Sequence, residues 1–298
     1  MTVRLALRDR VVECVPGRPL VMGVVNAGPD SFSDARRLGT LDAQLAHARA
    51  LVAAGADLID VGAESGVTYS DLTPAEVERE RVVPLVAALA AEGVTVSVDT
   101  FKAPVARAAV DAGAAMINDV SGLADPELAD ICAASGAALV VMHTRAEPKR
   151  EGFPDYADVA ADVEEFLAQR AAMAVAAGVA ADRIVLDPGP DFAKRPHETV
   201  AVLRAWERYR ALGFPLLAAV SRKYFLGAIT GRAPDARLAS TLAAVLWAAD
   251  VGAAIVRVHD VAEAVDALAV RRVLRGEAPV PDFDADDDAL KWIRSDAR

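Results

Sequence analysis

Eight short apolar runs, each ending in polar residues, are the feature that most constrains the fold of this chain. Continuous Val/Ile/Leu runs are typical of buried parallel strands, and here they read LVMGVV, LIDVG, VTVSVD, AMIND, ALVVMH, RIVLD, PLLAAVS and IVRVHD. Seven of them follow a glycine that closes an alanine-rich stretch, where a helix would need a left-handed C-terminal cap: Gly55, Gly93, Gly113, Gly136, Gly178, Gly213 and Gly252. Strand and helix therefore alternate eight times, which predicts an α/β fold, a (β/α)8 TIM barrel in a single domain.

The polar residues stand at the same end of every strand. In chain order they are Asn26, Glu64, Asp99, Asn118 with Asp119, His143, Asp187, Ser221-Arg222-Lys223, and Arg257 with His259. In barrels of this class the active site lies at the C-terminal ends of the strands. The pattern therefore predicts one active face. It disfavours a purely structural barrel, which has no need for so many polar groups at one mouth.

The length of 298 residues suits one such barrel with short additions. We predict a short N-terminal hairpin at the bottom of the barrel over residues 1–19, the barrel itself over 20–275, and an acidic, solvated extension over 276–298. Three loops that follow strand ends are longer than a connection requires, and we expect them to form lids or binding walls: 26–40, 63–73 and 143–157.

Charge and hydropathy exclude several classes of partner. A formal net charge of −11 argues against nucleic acid, which usually binds to a basic face. The longest apolar stretches have the length of strands, so we expect no membrane span, and the N-terminus does not resemble a signal peptide. Cys14 and Cys132 form no metal-binding or disulfide pattern, as is usual in a reducing compartment. We therefore expect a cytoplasmic protein.

Three strand ends carry the amide and carboxylate groups of Asp99, Asn118 and Asp187. Such groups can bind a ring that displays several N–H donors and carbonyl acceptors, for example a 2-amino-4-oxo-pyrimidine edge. A site of this kind is selective, because a wrong ligand would leave buried polar groups unpaired. The alternative for any one of these residues is that it only caps a helix.

A second group of residues is suited to an anion. Lys223, Arg257 and His259 follow the last two strands, beside Asn26 on the first, and the mouth of strands seven and eight is a frequent phosphate site. These donors are typical of a phosphate or pyrophosphate site, and the alternative is a surface ion-pair network with Asp34 or Asp260. Since no two histidines have metal-ligand spacing, any Mg²⁺ would arrive on the phosphates of the substrate.

With these residues in place, the chain resembles the dihydropteroate synthase family. The resemblance runs over about residues 20–274 in eight segments that keep the barrel order: VMGVVNAGPDSFSD, ADLIDVGAES, VSVDT, INDVSG, VMH, LDPGPDFAK, SRKYFLG and VRVHDV. It implies that 6-hydroxymethyl-7,8-dihydropterin diphosphate reacts with p-aminobenzoate to give dihydropteroate and pyrophosphate, in folate biosynthesis. It also implies Mg²⁺ bound with the diphosphate, and a homodimer formed through outer helices near the seventh strand.

The resemblance further implies a role for each matching residue. The pterin ring would be held by Asp99, Asn118, Asp187 and Lys223, and the diphosphate with its Mg²⁺ by Asn26, Arg257 and His259. Asn26 would be the metal contact, and the p-aminobenzoate pocket would be bordered by Phe192, Ser221 and Arg222. The predicted catalytic residues are Asp99, Lys223, Arg257 and His259.

Three segments depart from the family pattern, and by the resemblance all of them lie on the p-aminobenzoate and catalytic-loop side. Gly28 replaces a threonine, Gly66-Val67 replaces a Thr-Arg pair, and Asp191 replaces a glycine and is expected to add a carboxylate near the second substrate. These departures suggest a divergent member, with Arg36, Arg37 or Arg145 replacing the lost arginine. They also leave open a pterin-binding paralogue with a different acceptor or no synthase activity. A pterin-dependent methyltransferase is disfavoured, because it has no diphosphate for the SRK and VRVHD segments to hold.

Overall fold

A computed structural model describes residues 3–8, 10–28, 39–64, 72–147, 150 and 152–282. Its strands are β1 (Val3–Ala6), β2 (Val11–Cys14), β3 (Leu20–Asn26), β4 (Leu58–Gly62), β5 (Val96–Asp99), β6 (Met116–Asp119), β7 (Ala138–Met142), β8 (Ile184–Asp187), β9 (Leu217–Ala218) and β10 (Ile255–Val258). Its helices are α1 (Leu41–Ala53), α2 (Ala75–Ala91), α3 (Ala103–Asp111), α4 (Glu127–Ser135), α5 (Val159–Ala176), α6 (Pro196–Arg204), α7 (Trp206–Arg210), α8 (Tyr224–Thr230), α9 (Leu238–Asp250) and α10 (Val261–Leu274).

The predicted α/β barrel is confirmed. Strands β3 to β10 form one parallel sheet in the order β8-β7-β6-β5-β4-β3-β10-β9. A parallel bridge between Leu186 and Leu216 joins the two edges of this sheet and closes the barrel. The seven glycines expected at helix C-termini all have left-handed backbones, with φ between +74° and +112°. They let the chain leave each helix and turn toward the start of the next strand.

Alternation along the strands separates two layers of core. In β4 the outward side chain of Ile59 packs under the helices, whereas Leu58 points into the barrel. Met116 of β6 and Ile255 of β10 belong to the same interior layer as Leu58. Since side chains on one face of a strand recur every second residue, the next inward positions lie one layer nearer the mouth. Those positions hold Asp60, Asn118 and Arg257, so the interior changes there from apolar to polar.

The N-terminal hairpin covers the other end of the barrel. Its strands β1 and β2 pair antiparallel, and Leu5, Leu7 and Cys14 pack against the apolar interior layer. Arg10 also donates a hydrogen bond to the backbone oxygen of Asp57 at 2.6 Å. The hairpin therefore closes the bottom, as predicted, and leaves the C-terminal mouth as the accessible end. Residues 283–298 of the predicted acidic extension lie outside the described residues.

Cys14 and Cys132 are both free and buried. Burial raises the pKa of Cys14 to about 11 and that of Cys132 to about 12. Both groups therefore stay protonated thiols near neutral pH. Among the helices of the described ranges, none combines the length and apolar character that a bilayer crossing requires.

Candidate active site

The centre of the mouth is organised by Arg257, on the inner face of β10. Its Nε donates a hydrogen bond to Oδ2 of Asp60 at 2.7 Å, and its Nη2 donates one to Oδ2 of Asp99 at 3.0 Å. Nδ2 of Asn118 donates to the same oxygen of Asp60 at 3.1 Å. The side chain of Asp60 is completely buried, whereas Arg257 and Asp99 are 21% and 24% exposed and reach the mouth. We call these four residues the Asp60 cluster.

Asp99 is the titratable member of this cluster that faces the mouth. Burial raises the pKa of Asp99 to about 7, and the carboxylates of Asp60 and Glu78 act in the same direction against the charge of Arg257. The two protonation states of Asp99 differ in what they offer a ligand. The same carboxyl group can accept a hydrogen bond in one state and donate one in the other.

Asp187 and Lys223 extend the site toward β8 and β9. Oδ1 of Asp187 accepts a hydrogen bond from the backbone N–H of Gly189 at 2.8 Å, while burial raises the pKa of the Asp187 carboxyl. Nζ of Lys223 lies 4.3 Å from the centroid of the Phe192 ring. Burial lowers the pKa of Lys223, and the carboxylates of Asp191 and Asp187 oppose that effect. The structure thus brings Asp187, Phe192 and Lys223 together at one side of the mouth.

His259 is held by Ser221. The Ser221 hydroxyl lies 2.9 Å from Nδ1 of His259 and also accepts the backbone N–H of His259 at 3.2 Å. In the tautomer with the ring proton on Nε2, the Ser221 hydroxyl donates to Nδ1, and the Nε2–H is then available to a ligand. Burial, together with the charges of Arg257 and Arg222, lowers the pKa of His259 to about 4. His259 is therefore a neutral donor near neutral pH.

Arg222 and Asp191, predicted on the p-aminobenzoate side, both bind protein groups. Arg222 has a left-handed backbone, with φ of +57°. Its Nε and Nη2 donate hydrogen bonds to Oδ2 and Oδ1 of Asp260, at 3.0 and 2.5 Å. The Asp191 carboxylate accepts the backbone N–H of Phe225 at 3.2 Å and the hydroxyl of Thr199 at 3.2 Å. Its negative charge is therefore used at the start of α8, rather than pointing freely toward a second substrate.

His143, at the end of β7, belongs to a buried chain of polar groups. Its Nε2 lies 2.9 Å from Oδ2 of Asp162, and its Nδ1 lies 2.8 Å from Nζ of Lys194. Asp162 is also held by two hydrogen bonds from Arg145, at 3.0 and 2.9 Å. Arg145, one of the three candidates for the lost loop arginine, is thus engaged by Asp162 on α5.

Another group of charged residues lies beyond the ends of β4 and β5. The Lys102 ammonium makes ion pairs with Glu64 and with Glu78, both at short range. Glu64 also accepts the hydroxyl of Thr73 at 3.1 Å. The predicted strand-end carboxylate Glu64 therefore joins the described end of the second long loop to the barrel.

Asn26 and the altered loops complete the comparison with the sequence predictions. Asn26 ends β3 on the same face as the inward-pointing Met22, and it is half-buried. At Gly28, a Cβ atom would lie 2.8 Å from the backbone oxygen of Ala63, so a threonine there would require this backbone to shift. Five further residues of interest lie outside the described residues: Asp34, Arg36, Arg37, Gly66 and Val67.

Sequence reasoning missed Asp60, Lys102 and Lys194. Asp60 could have been found, because alternation in LIDVG places it two residues beyond the inward Leu58. Lys194 stands in the LDPGPDFAK segment, yet no local signal indicates that its side chain is 1% exposed. Lys102 likewise depends on Glu64 and Glu78, which come from other parts of the chain.

The neutral, buried His143 should make the protein less stable in mild acid. Burial, reinforced by the charge of Lys194, lowers the pKa of His143 to about 3, compared with about 6.5 in an unfolded chain. Its contribution to stability is complete above pH 6.5 and is lost as the pH falls below that value toward 3. At pH 5 the loss from His143 should be about 2 kcal/mol. Urea unfolding at pH 7 and pH 5 checks this. Between these two pH values, the free energy of unfolding should fall by about 2 kcal/mol less in His143→Gln than in the native protein.

The exposed His197 on α6 provides the matched control. His197→Gln should follow the pH dependence of the native protein, because this side chain is in contact with solvent. If the native protein and His143→Gln lost equal stability between pH 7 and pH 5, the assignment of a neutral His143 would be wrong.

Comparisons with known proteins give matches over most of the chain. The family profile described as pterin binding enzyme matches residues 22–259. The dihydropteroate synthase of Mycobacterium leprae is 45% identical over 260 residues, which cover 84% of this chain and 91% of that protein. The probable bifunctional folylpolyglutamate synthase/dihydropteroate synthase of Haloferax volcanii is 43% identical over 253 residues, 84% of this chain but 30% of the longer protein. The structure of Xanthomonas albilineans dihydropteroate synthase with 4-aminobenzoic acid matches with a TM-score of 0.85 at 42% identity, covering 94% of this chain and 100% of that one.

These identities correct one expectation. The departures at Gly28, Gly66-Val67 and Asp191 suggest a divergent member, but identity of 43–45% extends over 84% of the chain. The departures at these positions therefore do not set the chain apart from the family. This chain belongs to the pterin-binding enzyme family.

Proposed function

We propose that this chain is a dihydropteroate synthase. It joins 6-hydroxymethyl-7,8-dihydropterin diphosphate to p-aminobenzoate, releases pyrophosphate and supplies dihydropteroate for folate biosynthesis. The observation that carries this proposal is the Asp60 cluster. In it, Arg257 binds the carboxylates beside the proposed ring site, and its positive charge is also suited to bind an anion. Synthases 43–45% identical to this chain support it, as does the related structure solved with 4-aminobenzoic acid.

The two ends of the pterin diphosphate would meet different sets of residues. Asp99, Asn118, Asp187 and Lys223 would hold the ring, since their carboxylate, amide and ammonium groups can match its N–H donors and its carbonyl and ring-nitrogen acceptors. Among the described residues, Oδ1 of Asp60 is buried without a hydrogen-bond partner. Acceptor capacity thus remains beside the ring-binding groups.

The reaction would begin at the bond between the pterin methylene carbon and the diphosphate oxygen. As this bond breaks, its electron pair leaves with the diphosphate, and the positive charge spreads into the pterin ring. The Asp99 carboxylate is suited to stabilise that charge, because it is fixed by Arg257 before reaction. The aniline nitrogen of p-aminobenzoate then attacks the methylene carbon and loses a proton, so it needs to be positioned rather than activated by a strong base.

The leaving diphosphate would be held by Arg257 and by the Nε2–H of His259. Mg²⁺ would arrive with this substrate and neutralise part of its charge. Among the described residues, no cluster of three or more His, Cys, Asp or Glu side chains is arranged to hold a metal. The amide oxygen of Asn26 is a hard ligand at the mouth, and it suits an ion whose other ligands are diphosphate oxygens and water.

A turnover assay tests the proposal directly. Purified protein with the pterin diphosphate, Mg²⁺ and p-aminobenzoate should release pyrophosphate. Lys223→Ala and Asp187→Asn should each abolish pterin binding in calorimetry, because each removes a charged contact from the ring. Tight pterin binding without turnover would contradict synthase activity and favour a paralogue with another acceptor. Normal pterin binding by either variant would show that the pocket is assigned to the wrong residues.

Asp60→Asn should separate the Asp60 cluster from general stability. The substitution keeps the shape of the side chain but removes the charge that fixes Arg257 and Asn118. We expect kcat/KM for the pterin diphosphate to fall about 100-fold. Asp57→Asn is the matched control, since Asp57 accepts the backbone N–H of Val21 at 2.8 Å at the opposite end of the barrel. Equal losses in the two variants would contradict a specific role for Asp60.

We also propose that the chain forms a homodimer through α8 and α9, the helices that follow β9. One side of α9 is entirely apolar and at least partly exposed, with residues at helical spacing: Leu238, Ala239, Leu242, Ala243 and Leu246. On the neighbouring α8, the side chain of Ile229 is 66% exposed. A contiguous apolar surface of this kind is typical of a protein interface.

A charge on this surface should separate the dimer. Ala243 is exposed on α9, so Ala243→Glu should leave the fold intact and give a monomer in analytical ultracentrifugation. Ala172, exposed on α5, provides the matched control, and Ala172→Glu should remain dimeric. A native protein that sediments as a monomer at micromolar concentration would contradict the proposed interface.

A further inference from the structure

The loop between β8 and α6 has a strained backbone. Asp191 and Ala193 both have left-handed backbones, with φ of +68° and +53°, and such a conformation is unfavourable for a residue with a Cβ. Gly189, with φ of +65°, comes so close to β7 that a Cβ atom there would overlap the backbone oxygen of His143. This loop carries Phe192, whose ring contacts the Lys223 ammonium. Something must therefore hold the loop in this conformation.

The Lys194 side chain turns back beneath the loop and binds it. Its Nζ lies 2.9 Å from the backbone oxygen of Gly189 and 3.0 Å from that of Phe192. Its third close partner is Nδ1 of His143 at 2.8 Å. Because Nε2 of His143 faces the carboxylate of Asp162, the neutral ring carries its proton on Nε2 and offers Nδ1 as an acceptor.

The three acceptors match the three N–H bonds of an ammonium group. A neutral amine has two N–H bonds and a lone pair, and that lone pair would face one of the acceptors. Lys194 must therefore be protonated to hold both loop carbonyls and His143 together. The connection between β7 and α5 makes a second contact with the same loop: the Tyr156 hydroxyl donates a hydrogen bond to the backbone oxygen of Ala193 at 3.0 Å.

We propose that Lys194 is a positioning residue for the p-aminobenzoate side of the site. Its protonated side chain fixes the strained loop, and through the loop it fixes Phe192 against Lys223. The proposal rests on the proposed synthase function, because Phe192 is assigned to the p-aminobenzoate pocket on that basis. On the pterin side, Asp99 and Asn118 belong to the Asp60 cluster, which is built on the strands, whereas Asp187 and Lys223 interact with Lys194 through charge.

The charge state of Lys194 makes this positioning sensitive to pH. The groups that face its ammonium come from five elements or loops: Asp187 of β8, His143 after β7, Asp162 of α5, Lys223 before α8, and Asp191 of its own loop. Burial lowers the pKa of Lys194 to about 7, the charge of Lys223 adds to this, and the three carboxylates oppose it. As the pH rises through 7, the ammonium loses a proton and one of the three hydrogen bonds.

Lys194→Met tests the proposal, because methionine fills a similar volume without donating a hydrogen bond. We expect the KM for p-aminobenzoate to rise about tenfold, while kcat at saturation and the Kd of the pterin diphosphate stay within about twofold. In the native enzyme this KM should increase between pH 6 and pH 9. In Lys194→Met it should be high and independent of pH over that range. A rise in the Kd of the pterin diphosphate equal to the rise in KM would contradict the proposal.

Hydrogen exchange measures how firmly the loop is held and does not require enzymatic activity. The Phe192 amide, bonded to the Gly189 oxygen at 3.1 Å, should exchange about tenfold faster in Lys194→Met. Arg183→Met is the matched control, because Arg183 is a cation that binds the backbone oxygen of Gly136 away from this loop; it should leave Phe192 exchange unchanged. If the native protein released no pyrophosphate, the proposed function would fail, and the exchange result would still test how the loop is held.

A milder variant covers the case in which Lys194→Met does not fold. Tyr156→Phe removes the hydrogen bond to Ala193 and should raise the KM for p-aminobenzoate about threefold, with faster exchange at Phe192. Unchanged exchange at Phe192 in the folded variants, together with a KM for p-aminobenzoate in the native enzyme that is independent of pH, would overturn the proposal.

Discussion

The fork of Arg257 between Asp60 and Asp99 is the interaction on which the rest of the mouth depends. A guanidinium and two carboxylates inside a barrel would be costly if any of them lost its partner. Here one oxygen of Asp60 accepts hydrogen bonds from both Arg257 and Asn118, so one buried carboxylate orients two groups from distant strands. The remaining apolar interior below this layer is filled by strand side chains and by the N-terminal hairpin. The barrel is thus closed at one end and polar at the other.

The two sides of the site are built in different ways. Under the proposed function, the pterin side depends on strand residues such as Asp99, Asn118 and Asp187, whose positions are set by backbone hydrogen bonds around the barrel. The proposed acceptor side is formed by loops, and loops need additional contacts to hold a defined shape. Lys194 and Tyr156 supply such contacts to the β8–α6 loop. Of the departures from the family pattern, Gly28 and Asp191 lie outside the strands.

Much of the fold and part of the site could be predicted from local patterns. The strands follow from continuous apolar runs, and the helix ends follow from glycines that adopt the expected left-handed backbone. The residues at strand ends were predicted to share one mouth, and most of those described do lie there. The prediction for Asp191 was incomplete for a physical reason. Its carboxylate accepts hydrogen bonds from Phe225 and Thr199, and the residues next to Asp191 in the sequence do not indicate either contact. The contact of Arg145 could not be predicted for the same reason, because its partner Asp162 lies on the following helix.

The sequence by itself determined the class of barrel, the active end and the chemical character of its residues. These properties depend on the spacing of neighbouring residues, which a chain displays directly. The tertiary structure decided which charges pair and which lysine is buried. Asp60 and Arg257 are separated by 197 positions and Lys194 and His143 by 51, yet each pair is within hydrogen-bond distance. Strand pairing brings such residues together, because β4 and β10 both pair with β3, and β7 pairs with β8.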